Sequence, residues 1–309
     1  MISEVKVFAP GTVANVGCGF DILGFALRHP GDYVTIRKTK AEGIRIKKIT
    51  GDEGKLPLDP DKNTAGVAAD EFMKKFAIKT GIELEITKGM SLGSGLGSSA
   101  ASAAAALFGL NHLFNTRADE TQLLLCGLKA EKVACGSAHA DNIAPSLLGG
   151  FILIRSYNPL DVVSLNFPED LFCTVVCPLL KLPTKKMRKV LPKKISLQTA
   201  VRQWGNVAGL VAGLTRKDYG LISRSLKDFI VEPKRSKFIP FFPQVKSRAL
   251  ASGALGCSIS GSGPSIFALS QGKHSADKVA ATMAEVYKNK NISHKIYVSS
   301  VNREGPKLC

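Results

Sequence analysis

The stretch Gly93-Ser94-Gly95-Leu96-Gly97-Ser98-Ser99-Ala100-Ala101-Ser102 combines three glycines with a run of hydroxyls where a strand-like segment gives way to a helical one. Glycine accepts positive φ and lets the backbone approach a ligand closely, and unpaired N–H groups at a helix start attract anions. The chemistry on offer is the holding of phosphate. The same letters also fit a plain glycine-rich turn capped by serine. A P-loop requires Gly-Lys followed by Ser or Thr, and no lysine occurs between Gly89 and Ala118, which excludes that class. A dinucleotide fingerprint, Gly-x-Gly-x-x-Ala, is satisfied by residues 95–100. The acidic residue it needs about twenty positions on would be Asp119 or Glu120, at a helix start instead of a strand end.

The elements that must position this loop are readable from periodicity. Strand-like runs occupy 5–9, 33–37, 44–49 and 83–87, so the first half is expected to be rich in antiparallel pairing. Ala65, Ala68, Ala69, Phe72 and Phe76 recur at helical spacing, with Gly81 as a stop. A second helix over 99–114 is apolar around most of its circumference and belongs inside a domain. A third helix covers 119–134, followed by a loop and a strand at 150–154. After Pro159 the sequence becomes proline-punctuated and lysine-rich, which sets a domain boundary near 160: a nucleotide-binding domain over 1–160 and a second domain over 161–309. The second half reads as a strand at 172–176, helices at 196–214, 219–229 and 241–251, strands at 256–260 and 265–269 flanking Gly261-Ser262-Gly263-Pro264, a helix from 276 and a last strand at 295–300. Strand and helix do not alternate regularly, so the class is α+β, not a doubly wound parallel sheet.

A chain of 309 residues with 45% hydrophobic and 22% charged residues has material for a large core. The start, Met1-Ile2-Ser3-Glu4-Val5-Lys6, lacks the pattern of a secretory signal, and the most apolar segment, 100–110, is about half of what a bilayer span needs. Seven scattered cysteines do not read as a disulfide framework. A cytoplasmic, reducing location is expected. The formal charge of +17 favours anionic partners without choosing among nucleotide, nucleic acid and phosphorylated metabolite. Part of the excess lies in Lys181, Lys185, Lys186, Arg188, Lys189, Lys193 and Lys194, either a solvated arm or a surface facing a polyanion. That stretch holds no Phe, Tyr or Trp between its lysines, which counts against an RNA-binding protein.

Three segments carry a resemblance. Gly95-Leu96-Gly97-Ser98-Ser99-Ala100-Ala101 is similar to the central motif of the GHMP small-molecule kinases. Ala9-Pro10-Gly11-Thr12-Val13-Ala14-Asn15-Val16-Gly17-Cys18-Gly19-Phe20-Asp21 and Gly261-Ser262-Gly263-Pro264 match that family's other motifs in order and spacing. Within the family, Asn15-x-Gly17-x-Gly19-Phe20-Asp21 together with Gly136-Ser137-Ala138-His139-Ala140-Asp141-Asn142-Ile143-Ala144-Pro145 resembles the members that phosphorylate homoserine. Ser91 departs from the proline usual four residues before the Gly-Leu-Gly, which loosens the entry to the loop without removing a phosphate contact.

The resemblance implies a two-domain α+β fold, the first domain like that shared by a ribosomal protein and DNA gyrase, the second ferredoxin-like, with the active site between them. It implies ATP and Mg2+ as cofactors, threonine biosynthesis as the setting, and a small-molecule acceptor with neither nucleic acid nor membrane as partner. The chain is compatible with a monomer or a homodimer. By the same resemblance Gly93 to Ser99 hold the nucleotide phosphates, and Ser99 and Glu131 hold the metal. Asn15 and Asp21 face the amino end of the acceptor, Arg188 and Arg235 its carboxylate, and His139, Asn142 and Gly261 line its pocket. Thr184 approaches the transferring phosphate. The implied catalytic set is Asn15, Asp141, Asn142 and Thr184, with no side chain as an obligatory base, because a loose transition state demands little early proton removal. A sibling acting on mevalonate is the nearest rival. A carboxylate such as Asp21 facing an acceptor without an ammonium would be left unpaired, which favours the amino acid.

Overall fold

Alternating apolar and polar residues start the chain as a strand: Glu4 and Lys6 face solvent while Val5 and Val7 are buried. The computed structural model describes residues 2–136 and 139–309. Strand β1 (Glu4–Ala14) pairs antiparallel along its length with β2 (Leu23–Thr39), with an irregularity between Pro10 and Thr12. β3 (Ile44–Thr50) runs parallel to β4 (Gly81–Thr87) through the crossover helix α1 (Thr64–Lys75), and β4 pairs antiparallel with β2. Helices α2 (Ser98–Phe114), α3 (Glu120–Cys135) and α4 (Ala140–Leu148) follow. The hairpin β5 (Phe151–Tyr157) and β6 (Leu160–Leu165) then joins the same sheet through β2.

The second half begins with β7 (Leu171–Pro178), continues through α5 (Thr184–Lys189), α6 (Leu197–Arg216), α7 (Tyr219–Ser225), α8 (Glu232–Arg235) and α9 (Phe242–Ala251), and closes with β8 (Gly256–Ile259), β9 (Ile266–Gln271), α10 (Lys273–Lys288) and β10 (His294–Ser300). Its sheet order is β10-β7-β9-β8, all antiparallel, the order of a ferredoxin-like unit. A last strand, β11 (Lys307–Leu308), returns to pair with β1 in the first sheet.

Several element bounds differ from those expected. Residues 160–165, directly after the boundary expected near 160, form β6, hydrogen-bonded to β5. The loop expected after α3 holds α4, whose internal Pro145 obscured it in the sequence. Ser137 and Ala138 of the quoted 136–145 motif lie outside the described residues. The helix expected at 219–229 ends at Ser225, and the one expected from 276 starts at Lys273.

α2 is buried nearly all round, with Ala100, Ala101, Ala103 to Ala106, Leu107 and Leu110 all inaccessible. Small side chains let β1, β2, α1, α3 and α4 close on it from every side. Its N-terminus, and the loop before it, are thereby fixed against the centre of the molecule.

Candidate active site

Gly93, Gly95 and Gly97 all have positive φ, at 69°, 83° and 65°. Two of them are also demanded by space. A Cβ on Gly95 would fall 2.6 Å from the Ser260 carbonyl oxygen, and one on Gly97 would fall 2.1 Å from Thr12 Oγ1 and 2.7 Å from Asn142 Oδ1. The loop is stitched on both sides: Thr12 N–H donates to Leu96 O at 2.9 Å, Ser260 Oγ to Gly95 O at 2.7 Å, and Ser265 N–H to Ser94 O at 3.1 Å. The three sequence motifs therefore meet at one place. Gly97 caps α2 with no side-chain hydrogen bond, so the first N–H groups of the helix lack the usual side-chain acceptor and suit an anion. They border a cavity of ≈ 370 Å³ that Gly93 to Gly95 and Gly97 to Ser99 share with Glu131, Asn142, Thr184 and Ser262, and whose apolar wall includes Leu56, Ile86 and Leu92.

Beneath the loop lies an ion pair that the sequence reading passed over. Asp32 on β2 and Lys88 after β4 are both buried and bond each other directly. Lys88 Nζ also donates to Ser98 O at 2.8 Å and bonds Ser102 Oγ at 2.6 Å, while Ser98 Oγ and Ser102 Oγ donate to Asp32 Oδ2 at 3.1 and 2.9 Å. Gly89 N–H completes the carboxylate at 3.0 Å. Ser98, expected on the phosphates, thus turns its hydroxyl to this pair, whereas Ser99 Oγ donates to Glu131 Oε1 at 3.1 Å. A hydroxyl beside a buried carboxylate at the cavity wall is a hard-oxygen set that fits Mg2+.

The second pocket is built on the turn between β1 and β2. Asn15, Val16 and Gly17 all have positive φ, as does Asp21 at 61°. For a β-branched residue such as Val16 that is an outlier, so the turn is held by its surroundings. Asn15 does part of this: its Oδ1 accepts from Asp21 N–H at 3.1 Å and its Nδ2 donates to Gly261 O at 2.8 Å. Asp21 receives both Arg188 nitrogens at 2.9 Å, a bidentate pair, with His139 Nδ1 3.6 Å away. Arg235 is buried and donates to Met187 O at 3.1 Å and Gly261 O at 2.9 Å. Burial, then the Arg188 charge, lower its guanidinium to about 10. Burial also lowers His139, so the ring is neutral near pH 7 and adds no charge to the pocket.

Two partners here carried no signal in the sequence. Tyr157, at the end of β5, donates its hydroxyl to Asp21 O at 2.6 Å and accepts from Ala140 N–H at 3.2 Å, tying the Asp21 turn to the start of α4. Asp228 takes the N–H groups of Ile230, Val231 and Glu232 at 2.9, 3.1 and 2.7 Å, fixing the start of α8 and hence Arg235, while Gln203 links Asp228 to Cys18 O.

The comparisons with known proteins bear on this arrangement. The GHMP kinases N terminal domain matches residues 63–150 and the GHMP kinases C terminal domain residues 210–289. Homoserine kinase of Chlorobium phaeobacteroides is 48% identical over 320 residues, covering 99% of this chain and 100% of that one. Homoserine kinase of Chloroherpeton thalassium is 47% identical, with 99% and 100% covered. The crystal structure of homoserine kinase from Cytophaga hutchinsonii superposes with a TM-score of 0.98 at 53% identity, covering 100% of this chain and 98% of that one. The chain belongs to the homoserine kinases, within the GHMP kinases. A homoserine kinase must bring a nucleotide and an amino acid together, and the two pockets meet at Gly261, which lines the first cavity while its carbonyl binds Asn15 and Arg235 of the second.

The basic stretch of this homoserine kinase folds in part over the site. In α5 Thr184 Oγ1 lies 3.3 Å from Ser262 Oγ, Met187 is buried, and Arg188 reaches Asp21. Asn142 lines the cavity beside the glycine loop and its Oδ1 accepts from Thr12 Oγ1 at 2.7 Å. Asp141 is set back: its side chain is buried, and burial, followed by the charges of Asp21 and Glu131, raises its carboxyl to about 7. Among the described residues no helix is long and apolar enough to cross a membrane, and Cys18, Cys126, Cys173, Cys177 and Cys257 are buried free thiols.

Proposed function

We propose that the chain transfers the γ-phosphoryl group of ATP to the side-chain hydroxyl of L-homoserine, giving ADP and O-phospho-L-homoserine for threonine biosynthesis. The observation that carries this reading is the placement of one carboxylate, Asp21, and two guanidiniums, Arg188 and Arg235, beside the loop suited to phosphate. A zwitterionic acceptor complements those groups: its ammonium takes Asp21 and its carboxylate the two arginines. An acceptor lacking the ammonium would leave Asp21 without that match.

The hydroxyl oxygen of homoserine forms the new P–O bond as the bond from the γ-phosphorus to the bridging oxygen of ADP breaks, and the hydroxyl proton leaves to solvent or to the product phosphate. Glycines 93, 95 and 97 and the start of α2 hold the nucleotide phosphates, and Thr184 with Ser262 faces them from the other half. Asn142, locked by Thr12, orients the acceptor hydroxyl, and Asn15 holds the Asp21 turn in register. Ser99 and Glu131 would hold Mg2+, which supplies charge neutralisation on the phosphates when bound. With Asp141 buried and set back from the cavity, catalysis rests on alignment and electrostatics, with no side-chain base. A cytoplasmic setting agrees with the buried free thiols.

ADP release with MgATP, measured against homoserine, mevalonate, galactose, serine and no acceptor, tests this. Turnover selective for homoserine is expected. Preference for another acceptor would discard the pocket assignment, and nucleotide binding without any turnover would discard the kinase reading.

A further inference from the structure

Both arginines assigned above to the acceptor carboxylate lie over one aromatic ring. The guanidinium carbon of Arg188 is 5.2 Å, and that of Arg235 5.3 Å, from the centroid of Phe20. Two cations so placed repel. Asp21 engages Arg188 with both its oxygens, whereas the hydrogen-bond acceptors of Arg235 among the described residues are the carbonyls of Met187 and Gly261. A ring face carries the negative part of an aromatic quadrupole and attracts a guanidinium, more strongly where water is excluded. Phe20 also directly precedes Asp21 in the turn that Asn15 pins, so the backbone that carries the ring is held with that of the carboxylate.

We propose that Phe20 is a specificity-determining residue: its ring offsets the repulsion between Arg188 and Arg235 and holds both guanidiniums aimed at a single acceptor carboxylate. This rests on the homoserine reading. It assigns the ring no contact with the reacting atoms, so its effect lies in acceptor recognition and not in the phosphoryl step.

The test compares homoserine with aminopropanol, the same acceptor without its carboxylate, for the wild type, Phe20→Leu, Phe20→Trp and protein carrying pentafluorophenylalanine at position 20. Leu keeps the apolar bulk without the quadrupole, Trp strengthens it, and the fluorinated ring keeps the shape while reversing its sign. For Phe20→Leu and the fluorinated protein, KM for homoserine rises about tenfold, from two cation–ring contacts of the usual strength. Their KM for ATP and kcat/KM for aminopropanol stay unchanged, and Phe20→Trp retains the discrimination. Equal losses on both acceptors, or a fluorinated protein indistinguishable from wild type, would overturn the proposal even if Phe20→Leu fails to fold. A wild type that does not prefer homoserine to aminopropanol would instead overturn the reading beneath it.

Discussion

Asp141 shows how one buried carboxyl sets conditions for the rest of the site. Its pKa of about 7 follows first from burial and then from the negative charges of Asp21 and Glu131, so the neutral form is preferred in the folded protein. A raised folded pKa means that the folded state binds more protons than the unfolded chain. The stabilisation is complete below the unfolded value near 3.8 and is lost as pH rises towards and through about 7. Asp141→Asn, neutral at every pH, should therefore gain on the wild type across that window, by up to about 4 kcal/mol for a shift of this size. Urea denaturation at pH 4.5 and pH 8 measures it; a difference between the two proteins that does not change with pH would contradict the assignment. If no side-chain base operates, the same variant retains turnover on homoserine within about tenfold, well short of a whole general-base contribution. Asp21, Arg188 and Arg235 were nameable from motif resemblance, but not their arrangement. That Asp21 and Arg188 pair with each other across 167 positions is a fact of folding.

At the scale of elements, the phosphate loop is positioned less by its own glycines than by what lies under it. Asp32 lies within β2 and Lys88 just after β4, and both are locked onto the start of α2 through Ser98 and Ser102. Lys88→Met would leave Asp32 buried without its counter-charge, a loss of about 3–5 kcal/mol in chemical denaturation. Asp32→Asn in the same background should restore part of it, since an amide tolerates burial better than an unpaired carboxylate. No recovery would place the cost elsewhere. The glycines were legible because the backbone geometry they permit is local. The ion pair was not, because 56 residues separate its members and an isolated Asp or Lys reads as surface. α4 was hidden for a local reason. Pro145 has no N–H for the carbonyl of Asp141 four residues earlier, which breaks the pattern of a helix. Gly24 of β2 packs against that carbonyl, where a Cβ would come within 2.0 Å.

For the molecule as a whole, two sheets do not mean two independent bodies. One continuous core includes Val13, Phe25 and Phe151 of the first sheet together with Leu171, Val175, Phe267 and Leu269 of the second, and the Phe25 and Phe267 rings meet edge to face at 6.2 Å. β11 then carries the end of the described chain back to β1. A single calorimetric transition is expected, with calorimetric and van't Hoff enthalpies in agreement, and two resolved transitions would show that the halves unfold separately. The α+β class followed from the order of strands and helices, whereas the ferredoxin-like second half was implied by the resemblance alone. Composition changes at Pro159 while hydrogen bonding continues through β6, because pairing is set by partners that composition does not see.

One carbonyl, that of Gly261, accepts from Asn15 at the acceptor turn and from Arg235 at the end of α8, while Gly261 N–H donates to Ala14 O at 3.1 Å. Three segments far apart in the chain thus meet at one residue. Across diverging sequences, changes at 15, 235 and the 261 turn should be inherited as a set, and a lineage altering one alone should carry an epistatic penalty far larger than the sum of separate replacements predicts.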